Sequence, residues 1–171
     1  GGIVPPAPKG AFGQTASGFT FWSRPYVDGK RRSLSTSLLY SKGSFRFLGE
    51  YLEEREERKG QGTAGEDLPD VLGHGVSAQM SYLLIGQRKG VLVEPRTSIF
   101  QGGLGAVELV ARVETLRFDD TGPGSLPVSA GNRASNPAPA GALAFEAGVN
   151  YWASYFMKLQ TTAIWEKYDD P

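Results

Sequence analysis

Hydrophobic and polar residues alternate along most of the chain, as they do in half-buried β-strands. Between Ala106 and Phe118, for example, Val107 and Leu109 fall on one face, whereas Glu108 and Arg112 fall on the other. Apolar residues do not recur at the three- and four-residue steps of an amphipathic helix. The pattern predicts one doubtful short strand at 18–24 and six clear strands at 33–40, 45–52, 75–85, 106–118, 143–152 and 156–168.

The connections between these strands alternate in length and character. Residues 42–43 and 153–155 make short turns, whereas residues 56–73 and 119–141 form long polar segments. Short turns at one end and long loops at the other are typical of outer-membrane β-barrels. One connection departs from this scheme, because the stretch from Gln87 to Gly103 falls on the short-turn side, and nothing in the sequence pattern accounts for its length.

The composition agrees with a β-protein and excludes several kinds of site. The chain has 23 Gly, 11 Pro and 11% aromatic residues, which suits many turns, and the first segment, 1–16, is predicted to be irregular. Its 18 basic and 18 acidic residues leave no net charge to attract nucleic acid. There is no cysteine and only one histidine, His74, so disulfides and thiolate or histidine-rich metal centres are excluded. The second segment, 17–171, is predicted to be a partial β-barrel domain.

Catalytic motifs are also missing from the sequence. No pair of carboxyl groups lies in an apolar setting that would raise the pKa of one of them, as acid catalysis requires. No Gly-x-Ser-x-Gly elbow is present, and the Gly-rich stretch at 101–105 precedes a strand and lacks the Lys of a phosphate-binding loop. We therefore expect a protein that is not an enzyme and uses no cofactor.

The two faces of the predicted strands differ in chemistry. One is aliphatic and aromatic, and the other carries polar and charged side chains, so the apolar face needs a partner that is either lipid or protein. Aromatic residues gather near strand ends, which is typical of the girdles of membrane barrels. These residues are Phe19, Phe21, Trp22, Tyr40, Phe45, Phe118, Tyr151, Trp152, Tyr155, Phe156 and Tyr168.

Several segments resemble the phosphate-selective porin O and P family, in matching order and spacing. The strongest is Gly-Ala-Val-Glu-Leu-Val-Ala-Arg at 105–112, which resembles a late strand of that barrel. The others are Val-Asp-Gly-Lys-Arg-Arg-Ser-Leu-Ser at 27–35, Lys-Gly-Ser-Phe at 42–45, Leu-Gly-Glu-Tyr at 48–51, Val-Ser-Ala-Gln-Met-Ser-Tyr-Leu-Leu-Ile-Gly at 76–86, Gly-Val-Asn-Tyr-Trp at 148–152, Lys-Leu at 158–159 and Trp-Glu at 165–166.

The resemblance implies a transmembrane β-barrel of some sixteen strands in a Gram-negative outer membrane, usually a homotrimer. Seven strands cannot close such a barrel, and the end of the chain, Asp169-Asp170-Pro171, resembles a loop more than an aromatic terminal strand. We therefore expect a fragment from the C-terminal half of the barrel, an antiparallel up-and-down meander of about six to eight strands.

Charged and polar residues on the second face are the candidates for lining a pore. Rings of charged side chains set selectivity in channels, so Arg46, Arg112 and Lys158 are candidates to steer anions. Alternatively, these bases pair with Glu50, Glu108 and Glu114 and simply hold the wall together. The complete candidate set is Arg46, Glu50, Gln79, Glu108, Arg112, Glu114, Glu146, Asn150, Lys158, Gln160 and Glu166.

The sequence therefore predicts a passive diffusion channel for small polar solutes or anions, with phosphate among the candidates. Its expected partners are the lipid bilayer and lipopolysaccharide, and no catalysis is involved. The alternative is a soluble β-sandwich or lipocalin-like binding module. That module would bury Val107, Leu109, Phe145 and Val149 against a second sheet or an apolar ligand. Solute, charge preference, pore width and oligomeric state are left open by the sequence.

Overall fold

The computed structural model describes residues 10–11, 13–22, 25–62, 64–89, 92–120 and 139–169. Within these residues the chain forms ten strands and one 3₁₀ turn, Ile99–Gln101. No helix among them is long and apolar enough to cross a membrane. The strands are β1 Gly13–Gln14, β2 Thr20–Trp22, β3 Arg31–Lys42, β4 Phe45–Arg58, β5 Leu68–Ile85, β6 Gln87–Lys89, β7 Leu92–Glu94, β8 Ala106–Asp120, β9 Ala140–Ser154 and β10 Met157–Tyr168.

Six long strands form one antiparallel sheet in the order β10-β9-β8-β5-β4-β3. Each strand pairs with its nearest long neighbour in the chain, so the prediction of an all-β, up-and-down antiparallel meander is confirmed. Between β3 and β4 the chain reverses tightly at Gly43, whose φ of 57° lies in the left-handed region that glycine adopts without steric cost. The turn between β9 and β10 at Tyr155 and Phe156 is equally short.

Strands β4 and β5 are longer than the alternation predicts. The sequence predicts a long loop at 56–73, but β4 continues to Arg58 and β5 begins at Leu68, so the connection is reduced to residues 59–67. Cross-strand contacts support the extension, including the ion pair of Arg55 with Asp70 at 2.8 Å. Charged side chains hide the strand pattern here, because they occupy buried as well as exposed positions of the extended ladder. Glu56 and Arg58 are buried, whereas Arg55 is exposed.

A small hairpin, β1–β2, lies outside the main sheet and packs on it. The doubtful strand predicted at 18–24 corresponds to β2, which pairs with β1 and not with the six-stranded sheet. Residues 13–14 fall in the segment predicted to be irregular, and they form β1 instead. The Trp22 indole stacks on the Phe118 ring of β8, with centroids 4.7 Å apart. These two rings, with Val71 and Ala140, form the main cluster of buried apolar residues.

The connection from β5 to β8 folds back onto the sheet. It contains the short hairpin β6–β7 and the 3₁₀ turn, whose first N–H groups are capped by the Ser98 hydroxyl. That hydroxyl also contacts the carbonyl oxygen of Ala153, at 3.3 Å. The sequence pattern did not account for the length of this connection. Its residues form a compact element that packs against the end of the sheet where the β9–β10 turn lies.

We predict that Phe118→Ala destabilises the fold, because it leaves a cavity beneath Trp22. Truncating a buried aromatic side chain costs about 3–5 kcal/mol in the free energy of unfolding. Denaturant unfolding measures this cost, and proteolysis reports whether residues 13–22 detach. Phe156→Ala is the control, because Phe156 is 93% exposed and its loss should cost less than about 0.5 kcal/mol. Equal effects of the two substitutions would contradict the packing.

Candidate functional site

The strand register places the mostly apolar series of each long strand on one side of the main sheet, although a few apolar residues, such as Leu39, lie on the other side. Leu109 stands opposite Tyr82 on one neighbouring strand and Val149 on the other, and Ala111 likewise stands between apolar partners. This side, the apolar face, consists of Leu34, Thr36, Leu38, Tyr40, Phe45, Phe47, Gly49, Tyr51, Val76, Ala78, Met80, Tyr82, Val107, Leu109, Ala111, Val113, Thr115, Leu143, Phe145, Ala147, Val149, Tyr151, Leu159, Thr161, Ala163 and Trp165.

The apolar face is open to the surroundings. Leu109, Val149 and Leu159 are 43%, 42% and 58% exposed, although each is paired within the sheet. No described residue packs over this face to form a second layer. Water-soluble monomers rarely expose contiguous apolar patches of more than a few hundred Å². The face therefore requires an apolar partner other than the described part of the chain.

Charged side chains bound the apolar face at one end, and aromatic side chains are frequent at the other. In β9 the apolar positions run from Leu143 to Tyr151, which is about 26 Å of strand. Beyond Leu143, towards the long connections, the same face carries charged or ionisable residues. They are Arg32, Glu53, Arg55, His74, Arg117 and Lys167. The apolar surface is thus a band of limited height.

The opposite side, the polar face, carries the candidate residues. One register row crosses the whole sheet through Ser37, Glu50, Ser77, Glu114, Ala144 and Glu166. Three of its members, Glu50, Glu114 and Glu166, are carboxylates on the alternate strands β4, β8 and β10, and we call them the carboxylate row. The row lies on the same side of the sheet as the β1–β2 hairpin.

A cavity of about 540 Å³ separates the β1–β2 hairpin from the polar face. The hairpin supplies Gln14, Thr15, Ala16 and Phe21, and the sheet supplies all three glutamates of the carboxylate row. The hairpin is tied to the sheet by carboxylates, because Ala11 N–H donates to Glu56 and Ala16 N–H donates to Glu166, at 2.9 and 2.8 Å. The hairpin therefore roofs a polar space.

A second cavity of about 290 Å³ lies further along the polar face, towards the turn end. The Lys158 ammonium donates to the Gln160 side-chain oxygen at 3.0 Å and sits 5.1 Å above the Trp152 ring. The polar residues that line this second cavity are Gln79, Arg112, Glu146, Asn150, Lys158, Gln160 and Thr162. Charges of both signs meet in this cavity.

A buried ion pair anchors the β5–β8 connection on the same face. Arg88 donates to Glu108 at 2.7 Å, and the Asn150 amide donates to the other carboxylate oxygen at 3.0 Å. The same Arg88 guanidinium approaches the Ser81 hydroxyl and the Ser44 carbonyl oxygen, at 3.3 and 3.5 Å. A buried guanidinium with several oxygen acceptors holds the connection in one position.

The structure separates the candidate residues into groups. Glu50, Glu114 and Glu166 line the larger cavity. The smaller cavity is lined by Gln79, Arg112, Glu146, Asn150, Lys158 and Gln160. Glu108 is buried by Arg88 and is not open to either cavity. Arg46 is half-buried between Ser41 and Ser81 and lines neither cavity.

The structure forms only some of the ion pairs considered from the sequence. Arg112 pairs with Glu114, which was one of the considered partners, and not with Glu108, whose partner is Arg88. Among the described residues, Arg46 and Glu50 form no ion pair with one another. Sequence reasoning missed Arg88 and the hairpin residues 14–16, because they lie outside any predicted strand and reach their partners over long stretches of chain.

Charges at the far end of β4 lie beyond the apolar band. Arg31 contacts Glu54 at 3.2 Å and also pairs with Glu56. The Lys30 backbone N–H and the Lys59 ammonium both donate to Glu57, and they hold the pKa of that carboxyl below its usual range. This rim is a network of paired charges in a strand extension. Among the described residues no group of acidic or histidine side chains is arranged to hold a metal ion.

Comparison with known proteins identifies no relative: no family model matches the chain, and no curated protein matches it. Its function is therefore inferred from the two faces of the sheet. One face is an uncovered apolar band. The other is a polar wall with two cavities, a docked hairpin and an anchored connection.

We predict that Arg88→Met releases the β5–β8 connection, because Glu108 is left as an unpaired buried charge. Breaking a buried pair from one side costs about 3–5 kcal/mol in the free energy of unfolding. The double variant Arg88→Met with Glu108→Gln should recover part of that loss. Lys89→Met removes an exposed partner of Glu94 and should cost less than about 1 kcal/mol.

Denaturant unfolding measures the difference between these variants, and protease cleavage within residues 87–103 reports the local release. If Arg88→Met and Lys89→Met behaved alike, the anchoring role of the Arg88–Glu108 pair would be refuted.

Proposed function

We propose that the six-stranded sheet is part of the wall of an outer-membrane β-barrel, whose polar face lines a passive channel for small polar solutes. The observation that carries the proposal is the apolar face, which is exposed and limited to a band. Hydrocarbon is the natural partner of such a band, because outer-membrane barrels carry an outward apolar belt about 25 Å tall. In this proposal the lipid bilayer covers the apolar face, over which the described residues form no second layer.

The distribution of polar groups supports lipid as the partner of the apolar face. The hairpin segment and the β5–β8 connection both dock on the polar face. Carboxylates there accept from backbone N–H groups of the hairpin segment, and the Ser81 hydroxyl accepts from the Arg88 guanidinium of the connection. The apolar face offers no such partners in the middle of its band. Charged residues such as Arg55 and Arg117 begin where headgroups and lipopolysaccharide would lie.

The two edges of the sheet support a larger closed assembly. β3 and β10 form the edges, and each is 12 residues long and exposed throughout or nearly so. Unpaired edge groups are intolerable in hydrocarbon, and six strands are fewer than the eight of the smallest bacterial barrels. We propose that further polypeptide supplies the remaining strands. The family resemblance makes this a sixteen-stranded porin, with a homotrimer as the assembly.

The polar face supports diffusion without chemistry. Its two cavities are lined by amides, hydroxyls, carboxylates and bases, which suits hydrated solutes, and the proposal needs no cofactor and no catalytic group. The resemblance implies anions, phosphate among them, and Arg112 and Lys158 are the bases that would serve them. Against phosphate, each of these two bases already has a polar partner in the structure.

The alternative is a soluble sandwich or lipocalin-like module. It requires a second sheet or a bound ligand over Leu109, Phe145 and Val149, and the described residues supply no such layer. Partition separates the two proposals. The porin needs detergent and fractionates with the outer membrane, whereas the module is soluble as synthesised.

We predict that Ala163→Arg impairs folding into liposomes, whereas Thr162→Arg does not. The two residues are neighbours on β10 and both are exposed, but they lie on opposite faces. Ala163 stands in one register row with Ala147 and Ala111, at mid-height of the apolar band. An arginine on the lipid face costs about 2–4 kcal/mol near the middle of the membrane. Folding yield and stability in liposomes measure the difference, and Ala111→Arg and Val149→Arg should behave like Ala163→Arg.

In water, substitution of either exposed residue would change stability by less than about 0.5 kcal/mol. Equal tolerance of arginine at 162 and 163 would therefore refute the membrane assignment.

A further inference from the structure

The charged side chains that line the larger cavity, beneath the β1–β2 hairpin, are all acidic. Its charged lining residues are the three glutamates of the carboxylate row, and the described lining contains no lysine, arginine or histidine. The row exists because the register brings these glutamates to one level of the sheet. They stand on alternate strands, so the backbone positions of neighbours are about 10 Å apart.

The three carboxylates are poorly neutralised. Among the described residues, Glu50 forms no ion pair and accepts only from the Ser77 hydroxyl, at 3.3 Å. Glu166 accepts from Ala16 N–H and the Ser17 hydroxyl, which are neutral donors. Only Glu114 has a base beside it, Arg112. With neighbours separated by about one Debye length, their fields overlap in the space under the hairpin.

A second observation in the adjoining cavity indicates the same solute chemistry. Asn150 is only 7% exposed, and its side-chain nitrogen is used by Glu108, but its oxygen Oδ1 has no donor among the described residues. Asn150 lines the smaller cavity, beside Glu146. A buried carbonyl oxygen without a donor is costly, so a passing hydroxyl or ammonium group would satisfy it.

The bases of the polar face do not offset this excess of acceptors. Arg112 is paired with Glu114, Arg88 is buried with Glu108, and the Lys158 ammonium is held by Gln160 and the Trp152 ring. None of these three bases lines the space beneath the hairpin, and neither does Arg46, which also lies on the polar face. A phosphate there would meet carboxylates without an opposing cation.

We infer that the passage favours cations and neutral hydroxyl- or amine-bearing solutes over phosphate, with Glu50, Glu114 and Glu166 as the residues that determine this specificity. The inference rests on the proposed channel. Rings of carboxylates select cations in channels, because they raise the local cation concentration and repel anions. The hairpin strengthens the effect, since it confines the solute to the acidic space.

The test is the reversal potential of the complete protein in planar lipid bilayers under a KCl gradient. The unmodified channel should pass potassium in preference to chloride. Replacing the three glutamates together by Glu50→Gln, Glu114→Gln and Glu166→Gln should reduce the potassium-to-chloride permeability ratio about threefold or more. Each single substitution should reduce it by a smaller amount, and replacing KCl by potassium phosphate should lower anion permeation further.

The matched control is Glu53→Gln, on β4 like Glu50 but on the opposite face, at the rim of the apolar band. It should leave the permeability ratio unchanged. Gln14→Glu adds a carboxylate to the hairpin side of the same cavity and should raise the ratio, which tests the inference without removing any native carboxylate.

The outcomes separate the inference from the proposed function. A channel that prefers chloride or phosphate overturns the inference but not the proposed channel. The same holds if the triple variant leaves the potassium-to-chloride permeability ratio unchanged, or if Glu53→Gln lowers that ratio as much as the triple variant does. Absence of any conductance from folded, bilayer-inserted protein overturns both.

Discussion

The register of the antiparallel ladders is the constraint on which the rest of the structure depends. Because side chains alternate with a period of two, a slip of one residue between two strands would move a whole set of apolar side chains to the opposite face. Across all six strands the apolar positions stay in phase, as the alignment of Met80, Ala111 and Ala147 illustrates. Register irregularities in the main sheet occur only near strand ends.

This phase relation gives the sheet two surfaces with opposite solvent requirements. The short segments that pack on the sheet lie on its polar face, where their backbone N–H groups donate to carboxylates such as those of Glu56 and Glu166. The apolar surface stays bare over a height that suits hydrocarbon. One sheet can therefore meet lipid on one side and water on the other, which is the arrangement that a channel wall requires.

The carboxylate row follows from the same register. Its members, Glu50, Glu114 and Glu166, are far apart in the chain, and they share a level only because four ladders connect their strands. The hairpin then makes the row part of an enclosed space. A scattered set of acidic residues thereby becomes a local field of one sign.

By itself the sequence determined the strands, their faces and the all-β meander, because alternation is a local signal and the turns at Gly43 and Tyr155 are local too. It also identified the charged residues that line the two cavities. Only the tertiary structure decided that β4 and β5 extend into a predicted loop, that Trp22 docks on Phe118, and that Arg88 buries Glu108. Those contacts join residues that are distant in the chain. Their free energy depends on the packed structure, so the local alternation of apolar and polar residues does not predict them.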